Sequence, residues 1–237
     1  MFINYAHRGA SEYTPENTLL SFYTGVYMGA NGIETDVQRT KDGILVLFHD
    51  DTLARVTGES GSVINHTFEE LSRFLVRNGS LTDRIPTFED FLRHFAFRDL
   101  AFAIELKQDG TEQDVADLID RYQIAGKTTV TSFSLERIKA MRVCAPHLRT
   151  GYLTRDISDE LLSELKALGV NEVCPHAAEL TAEKAAKWHA AGFGVRAWGV
   201  KNEDLMRHAY VCGADGMTVN FPDKLQDLLQ SSRSSNH

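Results

Sequence analysis

Apolar residues recur along the chain in two alternating styles: short runs rich in Val, Ile and Phe, then longer stretches with apolar positions three and four apart. The first style predicts strands and the second amphipathic helices. Strands are expected at residues 4–8, 32–38, 100–106, 128–133, 149–153, 172–175, 194–199 and 216–219. Helices are expected in the gaps, at 15–29, 87–97, 112–122, 135–144, 159–168, 182–191, 203–211 and 223–229. Side-chain caps support several starts: Ser158, Thr181 and Asn202 each precede a helical run, and Gly126, Gly169, Gly192 and Gly213 stand just past the end of one. Eight strand–helix units in a chain of this size suit a closed (β/α)8 TIM barrel better than an open doubly wound sheet. Neither a GxGxxG nor a P-loop pattern is present.

One stretch breaks the alternation. Lys41-Asp42-Gly43 is a turn signal, and Ile44 to Phe48 reads as a returning strand, so an extra β-hairpin arm is expected beside the second strand. Residues 50–86 are longer and more polar, with Gly58, Gly61 and Gly79 and a short helix expected at 67–74. Such an insertion belongs over one barrel face, where it helps close a pocket.

Composition narrows the class. The 237 residues are 43% hydrophobic and 24% charged, which suits one globular domain over 1–230 followed by a polar, fraying tail at 231–237. A formal charge of −8 without a Lys/Arg cluster argues against a nucleic-acid partner. No apolar run is long enough to span a bilayer, and the first residues lack a leader pattern, so a cytoplasmic protein without stable membrane insertion is expected. Cys144, Cys174 and Cys212 are too widely spaced for a metal motif and are read as reduced structural thiols.

The chemistry concentrates at strand ends. His7-Arg8 closes the first strand, Glu34 and Asp36 lie in the second, His49 ends the hairpin arm, and Glu105 and Lys107 end the third barrel strand. Residues two apart share a face of a strand, so Glu34 pairs with Asp36 and Glu105 with Lys107. Parallel barrel strands are normally apolar on both faces, so these charges need a purpose. Two readings are open: an oxygen-ligand site for Mg²⁺, Ca²⁺ or Mn²⁺, or a buried ion network with Arg8, Arg39 and Lys107. His7 and His49 would flank the cluster, and two imidazoles can divide acid and base work near neutral pH. Cationic side chains beside them suit a phosphate diester. The other histidines, His66, His94, His147, His189, His208 and His237, fall on helices, loops or the tail and are read as surface residues.

These residues resemble the glycerophosphodiester phosphodiesterase family. The resemblance rests on His7-Arg8-Gly9, Pro15-Glu16-Asn17-Thr18, Gly32 to Val37, Thr40 to Gly43, His49-Asp50, Ile85 to Phe88, Ile104 to Lys107 and Asp215-Gly216, in that order. It implies a TIM barrel, hydrolysis of glycerophosphodiesters to sn-glycerol 3-phosphate and an alcohol, and one divalent cation held by Glu34, Asp36 and Glu105. It also implies acid/base roles for His7 and His49, without saying which is which, and phosphate-binding roles for Arg8 and Lys107. Family members often carry Thr after the aromatic residue where this chain has Trp198-Gly199, which suggests a wider mouth there. Trp198 then offers an apolar wall to the glycerol carbons or simply packs in the core. Phe133 and His176 are candidate pocket residues, and Glu16 and Asn17 are candidates to orient His7 or Arg8.

Three other functions remain to be weighed. A lysophospholipase D or sphingomyelinase D type enzyme would need an apolar groove, for which the insertion offers Leu71, Phe74, Leu75 and Val76. A Schiff-base lyase would use Lys107, although nearby carboxylates would keep its amine protonated. A barrel that only binds a phosphate ligand would have little use for two strand-end histidines.

Overall fold

The computed structural model describes residues 2–234. Strands β1 (Ile3–His7) and β2 (Gly32–Arg39) flank helix α1 (Leu19–Tyr27). There follow β3 (Leu45–Leu47), α2 (Ala54–Thr57), α3 (Phe68–Leu71) and a hairpin of β4 (Leu75–Asn78) and β5 (Leu81–Arg84). After α4 (Phe88–Phe95) the alternation is regular: β6 (Ala101–Leu106), α5 (Glu112–Arg121), β7 (Thr128–Ser132), α6 (Leu135–Cys144), β8 (Arg149–Thr154) and α7 (Asp159–Ala167). It ends with β9 (Glu172–Pro175), α8 (Ala182–Ala190), β10 (Gly194–Val200), α9 (Glu203–Val211), β11 (Gly216–Val219) and α10 (Pro222–Ser234).

Among the described residues, eight parallel strands run in the order β1-β11-β10-β9-β8-β7-β6-β2, and β2 pairs back to β1 to close the barrel. The hairpin arm is present as well: β3 pairs antiparallel with the far end of β2, Val37 opposite Leu47. Closure divides each strand into two chemistries. Ile33, Val37, Phe102, Ile104, Leu106 and Val130 join helix residues such as Phe22, Phe91 and Val115 in one apolar layer. A second layer packs Val173, Val195, Ala197 and Met217 against α7 to α10. The alternate positions point inward and are largely polar, so the core of this barrel lies between sheet and helices.

Several local expectations need correction. The first helix starts at Leu19, four residues later than expected, because Thr18 caps it by accepting from the Ser21 N–H at 3.2 Å. Residues 15–18 are thereby released into the barrel mouth. Helix α5 stops well before Gly126: Gln123 takes the left-handed conformation, and Ile124 N–H returns to the Ile119 carbonyl at 3.1 Å. The expected helix at 67–74 is a single capped turn, α3, and Leu75 and Val76 belong to the β4–β5 hairpin instead. That hairpin turns through Gly79-Ser80, a two-residue loop whose glycine has positive φ. Leu53, Val63, Leu71, Val76 and Ile85 give the insertion a small core of its own, packed on Val46 and Phe48 of the arm. Helix α10 continues through Ser231 to Ser234, where fraying was expected; residues 235–237, and so His237, lie outside the described residues.

Among the described residues no helix is long and apolar enough to cross a membrane. Cys144, Cys174 and Cys212 are all free thiols. His66, His94, His147, His189 and His208 sit away from the barrel mouth, bonded to Ser62 O, Tyr23, Asp120, Asp215 and Leu180 O respectively.

Candidate active site

Strand register carries the acidic residues together. Glu34, Asp36 and Glu105 sit on adjacent strands, with Asp36 opposite Glu105 across the β2–β6 pairing. One carboxylate oxygen from each lies within 4.8 Å of the others, and all three side chains are buried. Three like charges this close repel by about 3 kcal/mol per pair at an effective dielectric near 20. Burial and the neighbouring Asp36 and Glu105 carboxylates push Glu34 well above the usual carboxylate range. Burial, then Asp36, raises Glu105 to about 7. Burial works in the same direction on Asp36, but Arg8, His49, Lys107 and an Asn17 hydrogen bond outweigh it and hold that carboxyl at about 2.

The carboxylate spacing would admit a cation, and the ion network is present in part. Arg8 Nε stands 3.2 Å from Asp36 Oδ2, and Lys107 Nζ donates to Glu105 Oε1 at 2.9 Å and lies 3.8 Å from Asp36 Oδ1. Arg39 does not take part, since it turns out of the mouth to Asp114 and the Gly110 carbonyl. Two cations therefore face three carboxylates. Among the described residues Asp36 Oδ1 is buried without a hydrogen-bond partner, which is costly for a carboxylate oxygen unless another cation joins it.

Each histidine is oriented through Nδ1. His49 Nδ1 meets Asp50 Oδ1 at 2.7 Å, and a carboxylate only accepts, so the proton sits on Nδ1. Gln38 fixes the backbone there by donating to the Phe48 and Asp50 carbonyls, both at 2.9 Å. His7 Nδ1 meets Asn220 Oδ1 at 2.6 Å, leaving Nε2 3.9 Å from Glu34 Oε2. Burial and then the Arg8 charge lower His7 to about 4, against the Asn220 hydrogen bond. The ring keeps one edge, 30% exposed, on the cavity.

Arg8 and Asn17 both adopt left-handed backbone, φ 55° each, a region that Asn tolerates but a long side chain such as Arg rarely enters. They hold one another, since the Asn17 N–H donates to the Arg8 carbonyl at 2.9 Å. Arg8 N–H lies 3.0 Å from the Glu34 carbonyl, and its Nη1 donates to Glu16 Oε1 at 3.0 Å. Glu16 thus bonds Arg8, one of the two partners expected for it, whereas Asn17 meets Arg8 only through its backbone and its side chain donates to Asp36 Oδ2 at 2.9 Å.

A cavity of about 290 Å³ opens from this cluster. His7, Arg8, Glu34, His49 and Glu105 line one side, Phe133, Leu153 and Trp198 another. Lys107 stands at the adjoining edge with His49. The Trp198 indole donates to the Cys174 and Thr154 carbonyls at 3.0 and 3.3 Å, and its ring meets Phe133 and His176 edge-on, both centroids 4.8 Å away. No widening follows from Gly199. It has positive φ, and a Cβ there would fall 2.5 Å from the His176 ring, which already fills the space.

Asn220 and Arg196 are site residues that the strand-end reading missed. Asn220 was within reach of it, because residues 216, 218 and 220 share a face and Thr218 also lines the cavity. Arg196, a charge in mid-strand like Glu34, lines the same cavity. Arg55, in the insertion, gave no sequence signal.

A sequence model described as the Glycerophosphoryl diester phosphodiesterase family matches residues 7–224. A glycerophosphodiester phosphodiesterase of Bacillus altitudinis is 33% identical over 97% of this chain and 98% of its own. Among solved structures, an Oleispira antarctica phosphodiesterase in complex with its product sn-glycerol-3-phosphate superposes with a TM-score of 0.86 at 24% identity, covering 95% of this chain and 96% of that one. A glycerophosphodiester phosphodiesterase of Parabacteroides distasonis gives 0.82 at 26% identity, covering 98% of this chain and all of that one.

Proposed function

The chain belongs to the glycerophosphoryl diester phosphodiesterase family, an enzyme family, and we propose that one divalent cation and the imidazoles of His7 and His49 carry its hydrolysis of glycerophosphodiesters. The observation behind this reading is the excess of buried carboxylates over cations, with Asp36 Oδ1 left without a hydrogen-bond partner among the described residues. Glu34, Asp36 and Glu105 would hold the cation, and an all-oxygen set suits Mg²⁺, Ca²⁺ or Mn²⁺ rather than zinc. When bound, such an ion supplies Lewis-acid polarisation of a phosphoryl oxygen.

Everything else falls to the chain's own groups. Arg8 and Lys107 balance the charge on the non-bridging phosphate oxygens. One imidazole Nε2 removes a proton from the nucleophile as the new P–O bond forms. The other, entering the step as the imidazolium with protons on both nitrogens, gives its Nε2 proton to the alcohol oxygen as the old P–O bond breaks, and proton exchange with solvent resets the pair. Water serves as nucleophile directly, or the glycerol 2-hydroxyl does so first and water then opens the cyclic phosphate; both balance. Trp198 and Phe133 give the glycerol carbons an apolar wall. The product complex of the Oleispira antarctica relative supports a small glycerophosphodiester as substrate.

Rival activities fit less well. An acyl chain needs an apolar groove, but Leu71 and Val76 are spent on the insertion's own core. A Schiff base needs a neutral amine, and Asp36 and Glu105 hold the Lys107 ammonium in its charged form despite its burial. The direct test is a coupled assay for glycerol 3-phosphate over a panel of glycerophosphodiesters, with and without EDTA. Release that EDTA abolishes and added Mg²⁺, Ca²⁺ or Mn²⁺ restores is expected. Release from acylated lipids alone would overturn the substrate assignment.

A further inference from the structure

The insertion contributes one side chain that touches both arms of the site. Arg55, on the single turn α2, donates Nε to Asp50 Oδ2 at 2.5 Å and Nη2 to Asp50 Oδ1 at 3.0 Å. The same guanidinium donates Nη1 to Glu16 Oε2 at 2.8 Å and Nη2 to Glu16 Oε1 at 2.6 Å. All three nitrogens are engaged, two carboxylates are each gripped by both oxygens, and each carboxylate passes the constraint on. Asp50 Oδ1 holds His49 Nδ1, and Glu16 Oε1 holds Arg8 Nη1. Neighbouring apolar residues seat the turn, since Leu53 and Val56 are buried in the insertion's core.

We propose that Arg55 is a positioning residue for the reaction, a clamp that fixes the His49 imidazole through Asp50 and the Arg8 guanidinium through Glu16. The proposal rests on the acid/base reading of His49 given above. Magnitudes separate a clamp from a stability device. The Arg55 side chain is half exposed, and exposed ion pairs stabilise a fold by only about 0–1 kcal/mol. A displacement of about 1 Å in a reacting group, by contrast, costs on the order of 10²-fold in rate. Both carboxylates are also kept ionised: burial acts to raise them, but Arg55 together with His49 for Asp50, and with Arg8 for Glu16, holds them below the usual range.

The test compares Arg55→Met and Arg55→Lys with the unaltered protein, its metal supplied in excess. Arg55→Met is expected to lower kcat by roughly 10²-fold and raise KM, with little change in Tm. Arg55→Lys, a single point charge, should recover only part of the rate, and free guanidinium added to Arg55→Met should recover more. The ¹⁵N spectrum of His49 supplies a readout independent of turnover: one Nδ1–H tautomer in the unaltered protein, a mixture in Arg55→Met. Unchanged kcat in Arg55→Met would overturn the clamp. So would a rate loss that follows loss of folded protein while the His49 tautomer stays fixed. Failure of the acid/base reading shows separately, as an active His49→Ala.

Discussion

The barrel interior holds two clusters of charge, one at the mouth and one toward the opposite end, joined by Arg196, which lines the cavity while it pairs with Glu172, and they are built differently. At the floor, Glu172 accepts from Thr129 Oγ1 at 2.9 Å and from Arg196 Nε at 3.3 Å, with Arg149 Nη2 3.6 Å away. Arg196 also donates to Cys174 Sγ at 3.4 Å and lies over the Tyr5 ring, its centroid 5.3 Å away. Both Glu172 oxygens are matched. At the mouth, three carboxylates face Arg8 and Lys107, and among the described residues one buried carboxylate oxygen has no hydrogen-bond partner. A cluster that serves the fold satisfies its own groups, and the charge left in reserve at the mouth is what the proposed cation site requires.

Substitutions at the two ends should therefore separate rate from stability. His7→Ala or His49→Ala is expected to lower kcat by about 10²–10⁴-fold, the usual worth of a positioned acid or base, while thermal unfolding barely moves. A matching fall in Tm would merge the two clusters into one structural unit. Glu172→Gln should do the reverse, costing about 3–5 kcal/mol in a denaturant titration because Arg196, 3% exposed, loses its carboxylate. Glu34→Gln should carry the opposite sign, stabilising the metal-free protein as it weakens metal affinity, with excess metal restoring part of the activity. A destabilised Glu34→Gln would contradict the idea of reserve charge.

The contrast also has a pH signature. Glu105, raised to about 7, keeps a proton that the unfolded chain has already lost above about 4.5, so its contribution to stability falls as pH rises through 7. Asp36, held at about 2, acts only in more acidic solution. His7, lowered to about 4, works the other way and loses stability as pH falls from 6.5. The Tm difference between Glu105→Gln and the unaltered chain, both metal-free, cancels His7 and should widen from pH 4.5 to 7. A constant difference would show that Glu105 does not titrate in that window. The smallest effect is expected from Trp198→Ala, a several-fold rise in KM with kcat nearly kept, because in the proposed site the ring meets the glycerol carbons and no reacting atom.

The chain made much of this legible. Period-two alternation puts Glu34 with Asp36 and Glu105 with Lys107, and a closed parallel sheet leaves such pairs nowhere to go but the interior. Strand ends announced His7 and Arg8, and the turn before Ile44 announced the arm that carries His49. Partner choice was another matter. Nothing near Arg55 in sequence names Glu16, 39 residues earlier, and nothing near His7 names Asn220, 213 residues later. Such pairings are set by how the insertion folds on its own small core and by where the barrel closes. The left-handed backbone at Arg8 and Asn17 is hidden for the same reason, because a residue strained by its neighbours looks ordinary in isolation. Gly79-Ser80 was readable as a hairpin turn, but the helical spacing from Leu71 to Val76 masked it.

The most direct test is a calorimetric titration of Mn²⁺ into chelator-treated protein, with glycerol 3-phosphate release followed on the same samples. One ion per chain is expected, with activity returning in proportion to occupancy, and both lost in Asp36→Asn. Full turnover by protein stripped of metal, or undiminished binding in Asp36→Asn, would contradict a reaction organised around Glu34, Asp36 and Glu105.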